Sequence, residues 1–247
     1  MMKQSPLSPP ASPLVDLESK PVVKVNNGHC RTVVPVNKVT NIERATLTLA
    51  KAFHDSKAND YLMKKFANIP SSEEVPKARI NEILHQFNLL YAAKGGEIVE
   101  ANDFDAVAVW TGPGHHFDQD LTNDPVFNHI FFEVLHDKRD EILKELDCYY
   151  LFIVGKDLTN PKVRGSVRAI FDTYKRKADE EGVALVLEAI NEHARSVYEY
   201  FGFKNYHTFH FGAGEVDANG KANPNGEGFV GYLMIYYKDE LPGAIDN

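Results

Sequence analysis

The stretch "TNPKVRGSVRAIFDTY" at 159–174 gathers Lys162, Arg164 and Arg168 around Gly165, where an apolar helical stripe begins. The stripe is Val167, Ile170, Phe171, Tyr174 and Ala178. The first turn of a helix carries partial positive charge on its unpaired N–H groups and prefers acids. Three cations there are unfavourable unless an anion sits among them, so the residue types point to phosphate binding at a helix N-terminus. A solvated basic turn is the plainer reading of the same residues. Loops that cradle phosphate usually carry more glycine, because a Cβ holds the backbone away from the ligand. Here Val167 stands where a second small residue is expected.

A second stretch, "LEAINEHARSVYEYFGF" at 187–203, places a strand end, Asn191, a short helix bearing Tyr198, and Gly202-Phe203 in close succession. Tyr198 lies on the stripe Ala194, Val197, Tyr198 and Phe201, so periodicity alone makes it a core residue. A buried tyrosine still needs a partner for its hydroxyl, which leaves its far end polar. Other candidates are weaker. Glu82-x-x-His85 and Glu133-x-x-His136, with His129, have the one-face spacing of carboxylate-bridged metal sites, but such a bundle needs four long helices and two further glutamates. Strands interleave throughout this chain, and no metal is expected. His115 and His116, in a long polar loop, read as solvated. Cys148 opens a buried-type strand and reads as a small apolar side chain. It is far in sequence from Cys30, and the pair gives no disulfide framework.

The elements that must hold these residues can be read from periodicity. Of 247 residues, 43% are apolar and 25% charged, the composition of a globular domain, and the net charge is −8. That acidity argues against nucleic acid or an anionic membrane as a partner. No apolar run is long enough for a membrane span, the first residues lack a secretory signal's apolar core, and "KDEL" at 238–241 is internal. A cytoplasmic placement is expected, with the nucleus also open. Residues 1–28 are rich in Pro and Ser and read as a disordered arm, 29–238 as one α/β domain, and 239–247 as a tail. The expected order is a strand in "RTVVPV", helices at 42–54 and 80–91, and a hairpin of "GEIVEA" and "DFDAVAVW" joined by "ND". A helix follows from 127 to 146, then "YYLFIV", the basic helix, "VALVLEA", the Tyr198 helix, and two strands, "FKNYHTFHF" and "GFVGYLMIYY". Trp110, ending a hairpin strand, is expected in the core or a pocket wall.

The spacing Asn191, Ala194, Tyr198, Gly202, Phe203 resembles the GCN5-related N-acetyltransferase (GNAT) superfamily, in which a strand-to-helix segment often reads Asn, Ala, Tyr and Gly-Phe at these intervals. The element order is similar over about 29–238. The resemblance implies a mixed, mostly antiparallel sheet flanked by helices, with a parallel pair of strands, 149–154 and 183–189, splayed around acetyl-CoA. It implies that backbone N–H groups at Ile153 and Val154 hold an oxyanion, that Asn191 contacts the pantetheine arm, and that Tyr198 protonates the departing thiolate. With ordinary pKa values of ~10 and ~8.5, that transfer is uphill by roughly 2 kcal/mol.

In such proteins a Gln/Arg-x-x-Gly-x-Gly/Ala turn holds the CoA pyrophosphate. Two registers compete here: Lys162-x-x-Gly165-x-Val167 and Arg164-x-x-Val167-x-Ala169. The expected phosphate-binding residues are therefore Lys162, Arg164, Gly165, Ser166, Val167 and Arg168. Glu188, Glu133 and His136 are open as the general base. The implied activity is acetyl transfer to a primary amine of a small molecule or peptide. A catalytically silent relative that binds a CoA-like ligand or a protein is the alternative. A second copy of the chain, forming a homodimer, is an allowed partner.

Overall fold

The structure is a computed structural model, and it describes residues 34–115 and 122–245. The 1–28 arm, Cys30 and His116 lie outside the described residues. The elements are β1 (Val36–Lys38), α1 (Ile42–Ala52), α2 (Lys57–Phe66), α3 (Lys77–Ala93), β2 (Glu97–Ala101) and β3 (Ala106–Thr111). They continue as α4 (Pro125–Asn128), a π-helical turn (His129–Val134), α5 (Leu135–Leu143), β4 (Cys148–Lys156), α6 (Ser166–Glu181), β5 (Ala184–Ala189), α7 (Glu192–Tyr200), β6 (Lys204–Phe211) and β7 (Phe229–Tyr236). The strands form one sheet in the order β1-β2-β3-β4-β5-β7-β6. Every neighbouring pair is antiparallel except β4 and β5.

Two apolar clusters lie on the two faces of the sheet. One joins Ala45 and Leu49 of α1, Leu62 of α2, Leu84 of α3, and Phe127 and Leu135 of the α4–α5 segment to Val107, Ile153 and Val186. The other joins Ile170, Phe171, Tyr174 and Ala178 of α6, and Val197 and Tyr198 of α7, to Trp110, Leu151 and Leu187. Alternation along each strand sends successive side chains to opposite clusters. Trp110 is fully buried and stacks on Tyr174 with ring centroids 4.2 Å apart, so it is core. α1 lies so close on β4 that a Cβ at Gly155 would stand 2.7 Å from the Cβ of Ala52.

Four elements differ from the expected pattern, one of them the helix over 127–146, which is broken by the π-helical turn and ends at Leu143. α2 is absent from it, although Ser56 caps this helix by accepting the Asn59 N–H. Lys65 occupies the place where the stripe of Ala58, Tyr61 and Leu62 should continue. Its ammonium is buried between Asp124 (2.5 Å) and Glu215 (2.6 Å), and Tyr61 also donates to Glu215. The β2–β3 connection is not the two residues "ND": Asn102, Asp103 and Phe104 all take the left-handed region, at φ 56°, 56° and 67°. That is unfavourable for a bulky residue. It is held by Phe104 N–H donating to Glu100 and by Thr48 donating to the Phe104 carbonyl. β1 begins later than "RTVVPV", at Val36. After β7 the chain turns back along β6, where Ile245 N–H donates to the Asn205 carbonyl.

Candidate active site

β4 and β5 pair only from Cys148 opposite Ala184 to Leu151 opposite Leu187. β4 then runs on to Lys156 beside β3, which takes up part of the extra length before Pro161. Beyond Leu151 one edge of β4 has lost its partner, so alternate N–H groups there face an open gap. A bulge sits at the same point: Trp110 pairs with Leu151 and Val109 with Ile153, leaving Phe152 as the extra residue. The bulge puts Phe152 and Ile153 on one face in succession and turns Val154 to the other.

A cavity of about 920 Å³ passes through this gap. On the α1–α5 face it is lined by Tyr91, Phe131, Phe132, Phe152 and their neighbours. On the α6–α7 face it is lined by Val154, Val167, Ala194, Val197 and Tyr198. Glu188 lines it near the end of β5, on the same face as Val186, where it accepts a 2.6 Å hydrogen bond from the Tyr150 hydroxyl. Burial pushes the Glu188 carboxyl up to about 7, although Tyr150 and the positive charge of Arg139 pull the other way. A carboxyl tuned to that range can exchange protons near neutrality. The Tyr198 ring packs edge-on against Phe171. Burial first, and then the Glu188 charge, push the Tyr198 phenol upward, so it stays a neutral donor. The Cys148 thiol, also on the cavity, is raised to about 12, chiefly by burial, and is not a ready nucleophile.

The other expected site residues divide between the cavity and its surroundings. Ile153, Val154, Val167 and Asn191 line the cavity. The Asn191 side-chain amide oxygen caps α7 by accepting the Ala194 N–H at 2.8 Å, which leaves the amide NH₂ for a ligand. Gly165 precedes α6 with φ 88° and supplies no side-chain cap, so the helix starts at Ser166 with its leading N–H groups uncapped, a start that either register allows. Lys162 and Arg164 are exposed beside it and form no ion pair among the described residues. Arg168 bonds the Tyr200 hydroxyl and lies over its ring. The Ser166 side chain is spoken for: it donates to Asp105 at 2.5 Å and accepts from Asn102, and Lys156 pairs with the same aspartate. The left-handed β2–β3 turn thus anchors the start of α6.

Of the three base candidates, His136 and Glu188 line the cavity. Glu133 is exposed and bonded to His129 at 2.7 Å. Glu82 pairs with Arg79, and His85 meets Thr46. Among the described residues no group of three or more His, Cys, Asp or Glu could hold a metal ion. No helix among them is long and apolar enough to cross a membrane.

A mixed seven-stranded sheet whose only parallel pair parts around a through-going cavity is the arrangement of an acetyltransferase fold. Comparison with known proteins agrees. The family model described as the YOR012W acetyl transferase domain matches residues 37–116. Saccharomyces cerevisiae protein YDR391C is 49% identical over 87% of this chain and 91% of its own length. The Schizosaccharomyces pombe N-acetyltransferase C550.08 is 26% identical over 65% of this chain and 70% of its own. Among solved structures, arylalkylamine N-acetyltransferase 7 of Aedes aegypti superposes with a TM-score of 0.52 at 15% identity, over 83% of this chain and 87% of that one, a likeness of fold alone. The chain belongs to the GNAT superfamily.

Proposed function

We propose that this protein is an acetyl-CoA-dependent N-acetyltransferase that moves the acetyl group to a primary amine by direct attack on the thioester. One observation carries the reading: Glu188 and Tyr198 reach a single cavity from opposite faces of the sheet, at the point where β4 and β5 part. Acetyl-CoA enters from the α6–α7 side, its pyrophosphate on the uncapped N–H groups at Gly165–Arg168 with Lys162 and Arg164 alongside. Its pantetheine runs past Val167, Ala194 and Asn191. The amine enters from the α1–α5 side.

Glu188 takes a proton from the acceptor ammonium, and the freed nitrogen adds to the thioester carbon. The oxyanion that forms is held by N–H groups on the unpaired edge of β4 around Ile153 and Val154. The C–S bond then breaks, and the sulfur leaves with the Tyr198 proton. The surplus proton on the new amide nitrogen restores Tyr198. Base and acid are coupled, because the Glu188 charge is one cause of the weak acidity of Tyr198. Once Glu188 has accepted a proton that charge is gone, and Tyr198 becomes the better donor when the thiolate needs it. This matters because burial makes Tyr198 a weaker acid than a free phenol, so the transfer is steeper than solution values imply.

Calorimetric titration with acetyl-CoA tests the reading. Saturable binding that is weakened in Arg164→Ala, together with free-thiol release when amines are added, is the expected result. Absence of acetyl-CoA binding to the intact chain overturns it.

A further inference from the structure

The two halves of the cavity differ in chemistry. On the α6–α7 half Phe171 and Tyr198 stand among the aliphatic Val154, Val167, Ala194 and Val197. Besides Tyr150, which is bonded to Glu188, the α1–α5 half carries six aromatic side chains on its wall: Phe53, Phe66, Tyr91, Phe131, Phe132 and Phe152. The five phenylalanines are only half-buried, so part of each ring is still open. They are held from behind. Phe131 stacks on the buried Phe127 at 4.5 Å, Phe66 meets the same ring edge-on at 5.6 Å, and Phe152 stacks on Tyr91 at 4.2 Å. Two of them, Phe131 and Phe132, lie on the π-helical turn, which departs from the α-helical register on either side of it. Insertions of this kind are frequent at functional sites. The single-residue bulge of β4 is likewise what brings Phe152 onto this face.

Rings locked from behind and open in front form a preorganised wall for a flat apolar group, which stacks or meets ring edges at little entropic cost. Glu188 lies on the same face and receives an ammonium rather than a neutral or anionic group. From this wall, and resting on the transferase reading above, we infer that the acceptor is a primary amine carried on an aromatic ring system, its ring against Phe131, Phe132 and Phe152 and its nitrogen toward Glu188. An aliphatic diamine or a polar peptide N-terminus leaves the six rings without a matching surface.

The test is an amine panel of phenethylamine, butylamine, putrescine and a short peptide with a free N-terminus, scored by thiol release from acetyl-CoA. Phenethylamine is expected to exceed the other three in kcat/KM by about tenfold or more. The preference should shrink severalfold in both Phe132→Leu and Phe53→Leu, substitutions that keep apolar volume and remove a ring. Equal or better use of putrescine, butylamine or the peptide overturns the proposal. If no amine releases thiol, the transferase reading falls, and calorimetric titration with phenethylamine alone decides the pocket. Saturable binding weakened by Phe132→Leu then supports the aromatic site, and absence of binding removes it.

Discussion

The Tyr150 hydroxyl donates to Glu188 Oε2 at 2.6 Å, from the last paired turn of β4 to the end of β5. The bond lowers the carboxyl pKa against the larger effect of burial, which raises it to about 7. Glu188 must be ionised to take a proton from the acceptor. The kcat/KM of acetyl transfer should therefore climb as pH rises through about 7 and then level. Tyr150→Phe removes the stabilising donor and should move that rise to higher pH. A pH–rate profile that does not move in Tyr150→Phe would remove Glu188 from the role of base.

The same carboxyl links activity to stability. Its folded value lies above its ordinary value of 4.5, so between 4.5 and about 7 the folded state holds a proton that the unfolded chain has released. Stability then falls as pH rises through this window, and above it the penalty is complete. Allowing for solvent at the cavity, the penalty is of the order of 2 kcal/mol. Glu188→Gln should melt at a higher temperature than the parent at about pH 8, with the difference fading near pH 4, while turnover falls by about 100-fold or more. Thermal melts at the two pH values read the first effect and thiol release the second.

Tyr198→Phe keeps the ring contacts with Phe171 and Phe203 and removes only the proton donor. Turnover should drop by about 10- to 100-fold with acetyl-CoA affinity nearly unchanged. A matching loss of affinity would mean that the hydroxyl binds the cofactor instead of protonating it.

At Gly165 a Cβ would meet nothing within 4 Å, so Gly165→Ala tests backbone conformation alone. Holding alanine at φ 88° costs about 1 kcal/mol, and the turn is expected to relax and misdirect its N–H groups. Weaker acetyl-CoA binding with little change in melting temperature is the predicted outcome. Lys162→Ala and Arg164→Ala should weaken binding by less at high salt than at low salt, because these cations act through solvent.

Lys65→Met would leave Asp124 and Glu215 facing each other without their shared cation. A loss of about 2 to 3 kcal/mol is expected, read as a lower urea midpoint.

Much of this organisation is legible in the residues themselves. The Asn191-to-Phe203 spacing stands out because three of its members shape one short helix: Asn191 caps its start, Gly202 turns out of it at φ 90°, and Phe203 buries itself just beyond. Tyr198, on the same helix, lines the cavity. Glu188 stands with Glu133 and His136 until the fold shows Glu133 turned to solvent. Spacing of three predicts a shared face for Glu133 and His136, but the π turn breaks that register, and no periodicity announces such a turn. α2 escapes notice because the lysine in its apolar stripe finds its partners 59 and 150 residues away. The turn before α6 reads ambiguously for a related reason: Ser166 answers to Asp105 and Asn102, more than 60 residues away, not to its neighbours.

The extra residue in β4 has a consequence for what the two faces of the sheet present at the gap. Side chains alternate along a strand, so accommodating Phe152 without a bulge would turn every residue from Ile153 to Lys156 to the opposite face, whereas the bulge leaves them where a strand one residue shorter would put them. Phe152 is thereby added beside Ile153 on the α1–α5 face while Val154 stays on the α6–α7 face. The strand gains one ring on one side of the sheet and keeps the odd or even count on which the other side depends.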